Sequence, residues 1–176
     1  DLKNIGMPRS RLVVTHNPWY DGVVSGSNKL RKNPREGVGI LFVSQPIIEN
    51  MPIKDWGYTQ QSLFNELLRA LEQWSSPASK EILVWVHSRE CSTRWSPASL
   101  RIPESIEVTI SEDRSAEIMK NVDFIVTGHS TVVYEALYYD TPCVSLRIGG
   151  SSLAPLITDV LELTTLIETR EELGRY

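Results

Sequence analysis

The sequence predicts an α/β protein, a Rossmann-like and mainly parallel sheet with helices on both faces. Three observations carry this. Short, continuously apolar runs such as Val38-Gly-Ile-Leu-Phe-Val-Ser44 recur along the chain, as expected of strands covered on both sides. Segments with apolar residues at helical spacing alternate with them. Strands alternating with helices close into a parallel sheet through right-handed crossovers.

The elements follow in order. Arg11–Thr15 is a brief strand closed by His16-Asn17-Pro18. Residues 19–37 are polar and without period, a linker with one short helix around Tyr20–Val24. Val38–Ser44 is the first long buried strand. Thr59 to Trp74 sets Phe64, Leu67, Leu68, Leu71 and Trp74 on one stripe, the pattern of a core-facing helix. Ile82–Val86 and Ile106–Ile110 are further strands. Asp113–Asn121 reads as a short helix with Asn121 at its stop. A strand at Phe124–Thr127, a helix from Ser130 to Tyr139 and a strand at Cys143–Arg147 come next. Thr169-Arg-Glu-Glu172 has capping-box spacing and opens a last helix.

Length and composition narrow the class. The 176 residues suit one domain, large enough to bury roughly 70% of the unfolded surface. A formal net charge of -4 argues against a general nucleic-acid binder. No apolar run approaches the roughly 20 residues of a membrane span. The chain begins at Asp1 rather than Met, so its start is expected to be trimmed or internal. Cys91 and Cys143 have no metal spacing, and two lone cysteines fit a reducing cytoplasm. Cys143 falls in an apolar run and reads as a small core residue.

The most informative stretch runs from Asp123 to Leu137. A buried strand, a turn at Gly128 and a helix opening at Ser130 or Thr131 aim free backbone N–H groups at one point. That arrangement seats a phosphate, with the Ser130 and Thr131 hydroxyls as added donors. Glu135 lies four residues after Thr131 and shares its helix face. A carboxylate there can accept hydrogen bonds from a ribose diol. Ser and Thr also cap helices in any α/β protein, so the stretch has an ordinary structural reading as well.

Ligands of such sheets bind beyond the C-terminal strand ends, at the switch in strand order. Those ends lead into Ser44-Gln45-Pro46, His87-Ser88-Arg89-Glu90, Gly128-His129-Ser130-Thr131 and Arg147-Ile148-Gly149-Gly150. The candidate site is therefore Ser44, Gln45, His87, Arg89, Gly128, His129, Ser130, Thr131, Glu135 and Arg147. Each also has a plainer role. Arg89 and Glu90 can pair with each other or with solvent, His129 can be a turn residue, and Arg147 can form a structural ion pair. Trp56 and Tyr58 can pack beneath their loop or stack on a base.

The run Asp123–Arg147, with Thr127-Gly-His-Ser-Thr131, Glu135-Ala-Leu137 and Thr141-Pro142, resembles the C-terminal, donor-binding half of GT-B glycosyltransferases. The likeness is to the bacterial branch with the UDP-N-acetylglucosamine 2-epimerases, CDP-glycerol transferases and sialyl- and polysialyltransferases. Trp85-Val-His-Ser-Arg-Glu90 is similar to the strand ending in a His-Pro motif, with Ser88 in place of Pro. Arg11–Asp21 is similar to the close of the first GT-B domain, with His16 where Gly is more usual.

That resemblance implies residues 1–37 as the tail of a preceding domain plus linker, and 38–176 as the donor domain, cut short at its C-terminus. It implies a nucleotide-sugar, or a CDP- or CMP-activated donor, as substrate, with no metal and no cofactor. A glycan or lipid-linked acceptor would bind through the preceding domain, which would also carry the catalytic residues. The setting implied is bacterial surface polysaccharide synthesis in the cytoplasm, at or near the inner face of the membrane. This chain alone would then be inactive. Two other readings stay open: a non-hydrolysing nucleotide-sugar 2-epimerase, and a non-enzymatic module that binds a nucleotide or a partner chain. Against the epimerase, Ser44-Gln45-Pro46 stands where those enzymes carry His-Arg.

Overall fold

Gly37–Val43 (β1) lies at the middle of a six-stranded sheet, because the chain crosses over it once in each direction. The computed structural model describes residues 37–50, 56–96, 98–111, 116–150 and 157–176. The strand at Arg11–Thr15 and the linker helix at Tyr20–Val24 lie outside the described residues. So does the first part of the Asp113–Asn121 helix.

The helices Ile47–Asn50 (α1) and Gln60–Gln73 (α2) follow β1, then strand Ser79–Trp85 (β2) and strand Ile106–Ser111 (β3). A 3₁₀ turn at Ala116–Asn121 leads to strand Phe124–Thr127 (β4). Helix Val132–Ala136 (α3) and strand Cys143–Leu146 (β5) come next. Helix Ile157–Val160 (α4), strand Thr165–Ile167 (β6) and helix Arg170–Leu173 (α5) end the chain. The strand order is β3-β2-β1-β4-β5-β6, and every adjacent pair is parallel. This is the doubly wound order, with its switch point between β1 and β4.

Two cores explain the apolar strands. Ile40, Phe42, Ile82, Val84, Val126, Val144 and Leu146 meet Leu63, Phe64, Leu67, Leu68 and Leu71 of α2 on one face. Leu41, Val43, Trp85, Ile125 and Cys143 meet Met119, Val133 and Ala136 on the other. Successive strand residues point to opposite faces, so a strand covered on both sides must be apolar throughout. Burying one such Phe or Leu side chain stabilises the fold by about 1.5–3 kcal/mol.

Local chemistry sets the element ends. Thr59 caps α2: its Oγ1 accepts from Ser62 N–H, and Ser62 Oγ accepts from Thr59 N–H. Trp74 departs from the expected stripe. It is the C-cap residue of α2 and 44% exposed, since the helix stops before it can turn inward. Buried Lys80 closes that helix end, its ammonium donating to the Leu71 and Trp74 carbonyls at 2.7 and 2.8 Å. Asp123 pins β4 to β1, accepting from Gly39 N–H at 2.7 Å while its own N–H donates to Gly39 O at 2.7 Å. The Thr169–Glu172 capping box forms as the spacing predicts. Two expected helices are corrected. Ala116–Asn121 is a 3₁₀ turn, and the helix expected from Ser130 begins at Val132 and tightens to 3₁₀ at Leu137–Tyr139. Strand β6 and helix α4 were not foreseen, because three- and four-residue elements are too short to show a period.

Candidate functional site

The strands β2, β1, β4 and β5 are consecutive neighbours and all point the same way. Their C-terminal ends therefore bring His87, Ser44, Gly128 and Arg147 to one edge of the sheet, as the switch-point reading requires. Across the switch point the β1 and β4 ends are tied together. Gln45 Oε1 accepts from His129 N–H at 3.0 Å, and Thr127 Oγ1 donates to Val43 O at 3.1 Å. Gln45 thus bridges the two loops.

On the β2 side, Glu90 is the organising residue, and sequence reasoning missed it. Its buried carboxylate accepts from Ser44 Oγ at 2.7 Å, Trp95 Nε1 at 2.9 Å and His87 N–H at 3.0 Å. Glu90 does not pair with Arg89, which is exposed. The Arg89 N–H donates to His87 Nδ1 at 3.2 Å, so Nδ1 is the unprotonated nitrogen of that ring. Ser44 is 3% exposed, and its single hydroxyl proton goes to Glu90. It has no proton left to donate to a phosphate. An acidic residue three positions after a strand-end histidine, with a tryptophan five further on, was the only available signal.

On the β4 side, Gly128 marks a close approach. A Cβ there would stand 3.1 Å from Leu63 Cδ1, so the Leu63 side chain of α2 would have to give by a few tenths of an ångström. His129 has no left-handed backbone. Its ring stacks on Trp56, centroids 4.4 Å apart and planes 13° apart. Burial and the nearby Arg147 charge lower its pKa from 6.5 to about 4, so the ring is neutral at ordinary pH. Ser130 Oγ accepts from Val132 N–H at 3.2 Å, and Ser130 O accepts from Val133 N–H at 3.3 Å. The Ser130 hydroxyl proton stays available. Thr131 is exposed and does not cap the helix with its side chain. Among the described residues, the amides of Ser130 and Thr131 are not engaged in the turn's hydrogen bonds. Helix α3 has five residues, too few aligned peptide dipoles to supply the half charge of a long helix. The expected phosphate seat therefore reduces to two amides and two hydroxyls. Glu135 is half-buried within α3.

On the β5 side, Arg147 forms a buried ion pair with Asp159 at 2.5 Å, the structural alternative of the sequence reading. Tyr58 lies beneath these loops, 2% exposed, and burial pushes its phenol up to about 12. A cavity of about 280 Å³ opens elsewhere, over the second face of β1–β3 and lined by Gly39, Glu81, Leu83, Glu107 and Thr109 among others. None of the ten candidate residues lines it.

The sheet order and the all-parallel pairing define a doubly wound, Rossmann-like α/β domain. Among solved structures, the chain is similar to Methanocaldococcus jannaschii UDP-GlcNAc 2-epimerase in complex with UDP-GlcNAc and UDP. That match has 16% identity and a TM-score of 0.61, and covers 99% of this chain and 49% of that one. It is also similar to Staphylococcus aureus MnaA bound to UDP, with 15% identity and a TM-score of 0.59, over 99% of this chain and 46% of that one. At these identities the likeness is one of fold, and the fold is that of one half of a GT-B protein. The chain spans about half the length of these structures. No protein-family model and no curated protein sequence matches it. No helix among the described residues is long and apolar enough to cross a membrane.

Proposed function

We propose that this chain is the nucleotide-binding half of a GT-B enzyme that takes a nucleotide-activated sugar or polyol as donor. The observation that carries the reading is the joining of the β1 and β4 ends at the switch point. Gln45 and His129 tie the two loops together, and the amides and hydroxyls of Ser130 and Thr131 stand in one of them. A diphosphate oxygen would accept from those groups, which are fixed before the ligand arrives and need no reorganisation. Glu135 would receive the ribose hydroxyls. His87, its Nδ1 accepting from Arg89 N–H, would stand beside the donor at the end of β2. Arg147 would act through its ion pair with Asp159 and its charge near Tyr58 and His129, and Ser44 by holding Glu90 in place.

In the complete protein, a facing domain would bring the acceptor and the proton-transfer groups, and the reaction would be glycosyl or polyol-phosphate transfer in surface polysaccharide synthesis. Epimerisation at the sugar's C2 would use the same seat, and the likeness to the Methanocaldococcus jannaschii UDP-GlcNAc 2-epimerase supports keeping it as the second reading. Calorimetric titration of the chain with UDP, CDP, CMP and GDP tests the shared part. One of them should bind saturably at a single site. Absence of binding by all four would overturn the proposal. The full-length protein, incubated with the donor that binds, then separates transfer to an acceptor from release of a C2 epimer.

A further inference from the structure

Three buried polar atoms at this edge of the sheet lack a hydrogen-bond partner among the described residues: Tyr58 Oη, His129 Nδ1 and Arg147 Nε. Native interiors leave few such groups unpaired, and here three occur in one neighbourhood. The Arg147 charge acts on both the Tyr58 phenol and the His129 ring. Trp56 touches both aromatic groups, stacked on His129 at 4.4 Å and edge-on to Tyr58 at 5.9 Å between centroids. Tyr58 and Arg147 are 2% and 5% exposed, and His129 is the least buried of the three. The backbone comes close at Gly150, where a Cβ would stand 3.3 Å from Tyr58 Cε1.

The charges of the cluster cancel. Asp159 already balances the Arg147 guanidinium at 2.5 Å. The imidazole is neutral and the phenol keeps its proton, for the reasons of burial given above. What remains is two fixed donors, the phenolic O–H and Nε–H, and one imidazole nitrogen that serves as donor or acceptor. A phosphate would bring negative charge that nothing in the cluster balances. An uncharged acceptor oxygen matches it.

We propose that Tyr58, His129 and Arg147 form a neutral subsite for the carbonyl oxygen of an amide-type group on the ligand, separate from the phosphate seat at Ser130 and Thr131. The proposal rests on the nucleotide-binding reading. Two parts of a nucleotide-sugar carry such a carbonyl: a pyrimidine base and an acylamino sugar.

Tyr58→Phe removes the hydroxyl and keeps the ring. His129→Phe keeps an aromatic ring on Trp56 and removes the nitrogen, and it serves if the first variant does not fold. Wild type and variant are titrated with UDP-N-acetylglucosamine, UDP, uridine and inorganic pyrophosphate. Loss of one neutral hydrogen bond should weaken binding about fivefold. If the base supplies the carbonyl, all three uridine compounds weaken. If the sugar supplies it, only UDP-N-acetylglucosamine does. Either result, with pyrophosphate unchanged, supports the subsite. Weakening of pyrophosphate as well would make it an anion site and overturn the proposal. Unchanged affinity for every compound would reduce the three atoms to a water site and overturn it too. If wild type binds none of the four, the same series is run with whichever of CDP, CMP and GDP it binds, its nucleoside and pyrophosphate; binding of no nucleotide at all would overturn the nucleotide reading itself, a different failure from a loss confined to the variants.

Discussion

Ser44 Oγ donates to Glu90 Oε2 at 2.7 Å, joining the ends of two neighbouring strands 46 residues apart in the chain. The same carboxylate holds Trp95 and the His87 backbone. The geometry at the ends of β1 and β2 therefore depends on a single buried side chain.

Glu90→Ala should destabilise the domain by about 3–5 kcal/mol, since it leaves three buried donors unpaired at once. Glu90→Gln should cost less, because one amide oxygen still accepts while its NH₂ confronts the Ser44 and Trp95 donors. Denaturant titrations of the three proteins measure this, with Trp95 fluorescence as a local reporter. Equal stability for wild type and Glu90→Ala would show that the network carries no weight.

The neutral His129 makes stability depend on pH. Its pKa is about 4 in the fold against the ordinary 6.5 of the unfolded chain, so between these the unfolded chain binds more protons. The contribution is fully present above pH 6.5 and is lost as pH falls toward 4. Its size is on the order of 2–3 kcal/mol, from 1.36 kcal/mol per pKa unit and some remaining solvent contact. His129→Phe should flatten the stability profile in that window and nowhere else. A variant that tracks wild type from pH 7 to 4 would contradict the assignment.

If Glu135 receives the ribose, Glu135→Gln should weaken nucleotide binding roughly tenfold, the difference between a charge-assisted and a neutral hydrogen bond. The melting temperature should barely move, because Gln is a comparable helix former. A purely structural Glu135 gives the opposite pattern: lower stability and unchanged affinity. Calorimetric titration alongside melting curves distinguishes them.

The two cysteines should label at very different rates. Cys91 is exposed, and its hydrogen bond with Thr93 lowers the thiol pKa. Cys143 is buried, which raises its thiol to about 12. A thiol reagent at neutral pH should modify Cys91 at once and Cys143 only after unfolding. Prompt double labelling would mean that the β5 core opens readily.

Much of this domain could be read from local chemistry alone. Periodicity located β1, β4 and α2, because a strand buried on both faces and a helix buried on one leave different patterns. The Thr169–Glu172 box and the gathering of strand ends at Ser44, His87, Gly128 and Arg147 follow from spacing and alternation. Tertiary structure alone decided how those ends are used. The bond from Ser44 to Glu90, the Trp56–His129 stack and the Arg147–Asp159 pair join residues far apart in sequence, and no local pattern encodes such a meeting. A strand-end serine looks like a ligand donor until its proton is found committed, and a glutamate beside an arginine looks like surface charge until the fold buries it. The sequence determined which side chains stand at the strand ends; packing across β1, β2, β4 and β5 determined which of them still have a hydrogen-bonding group to offer.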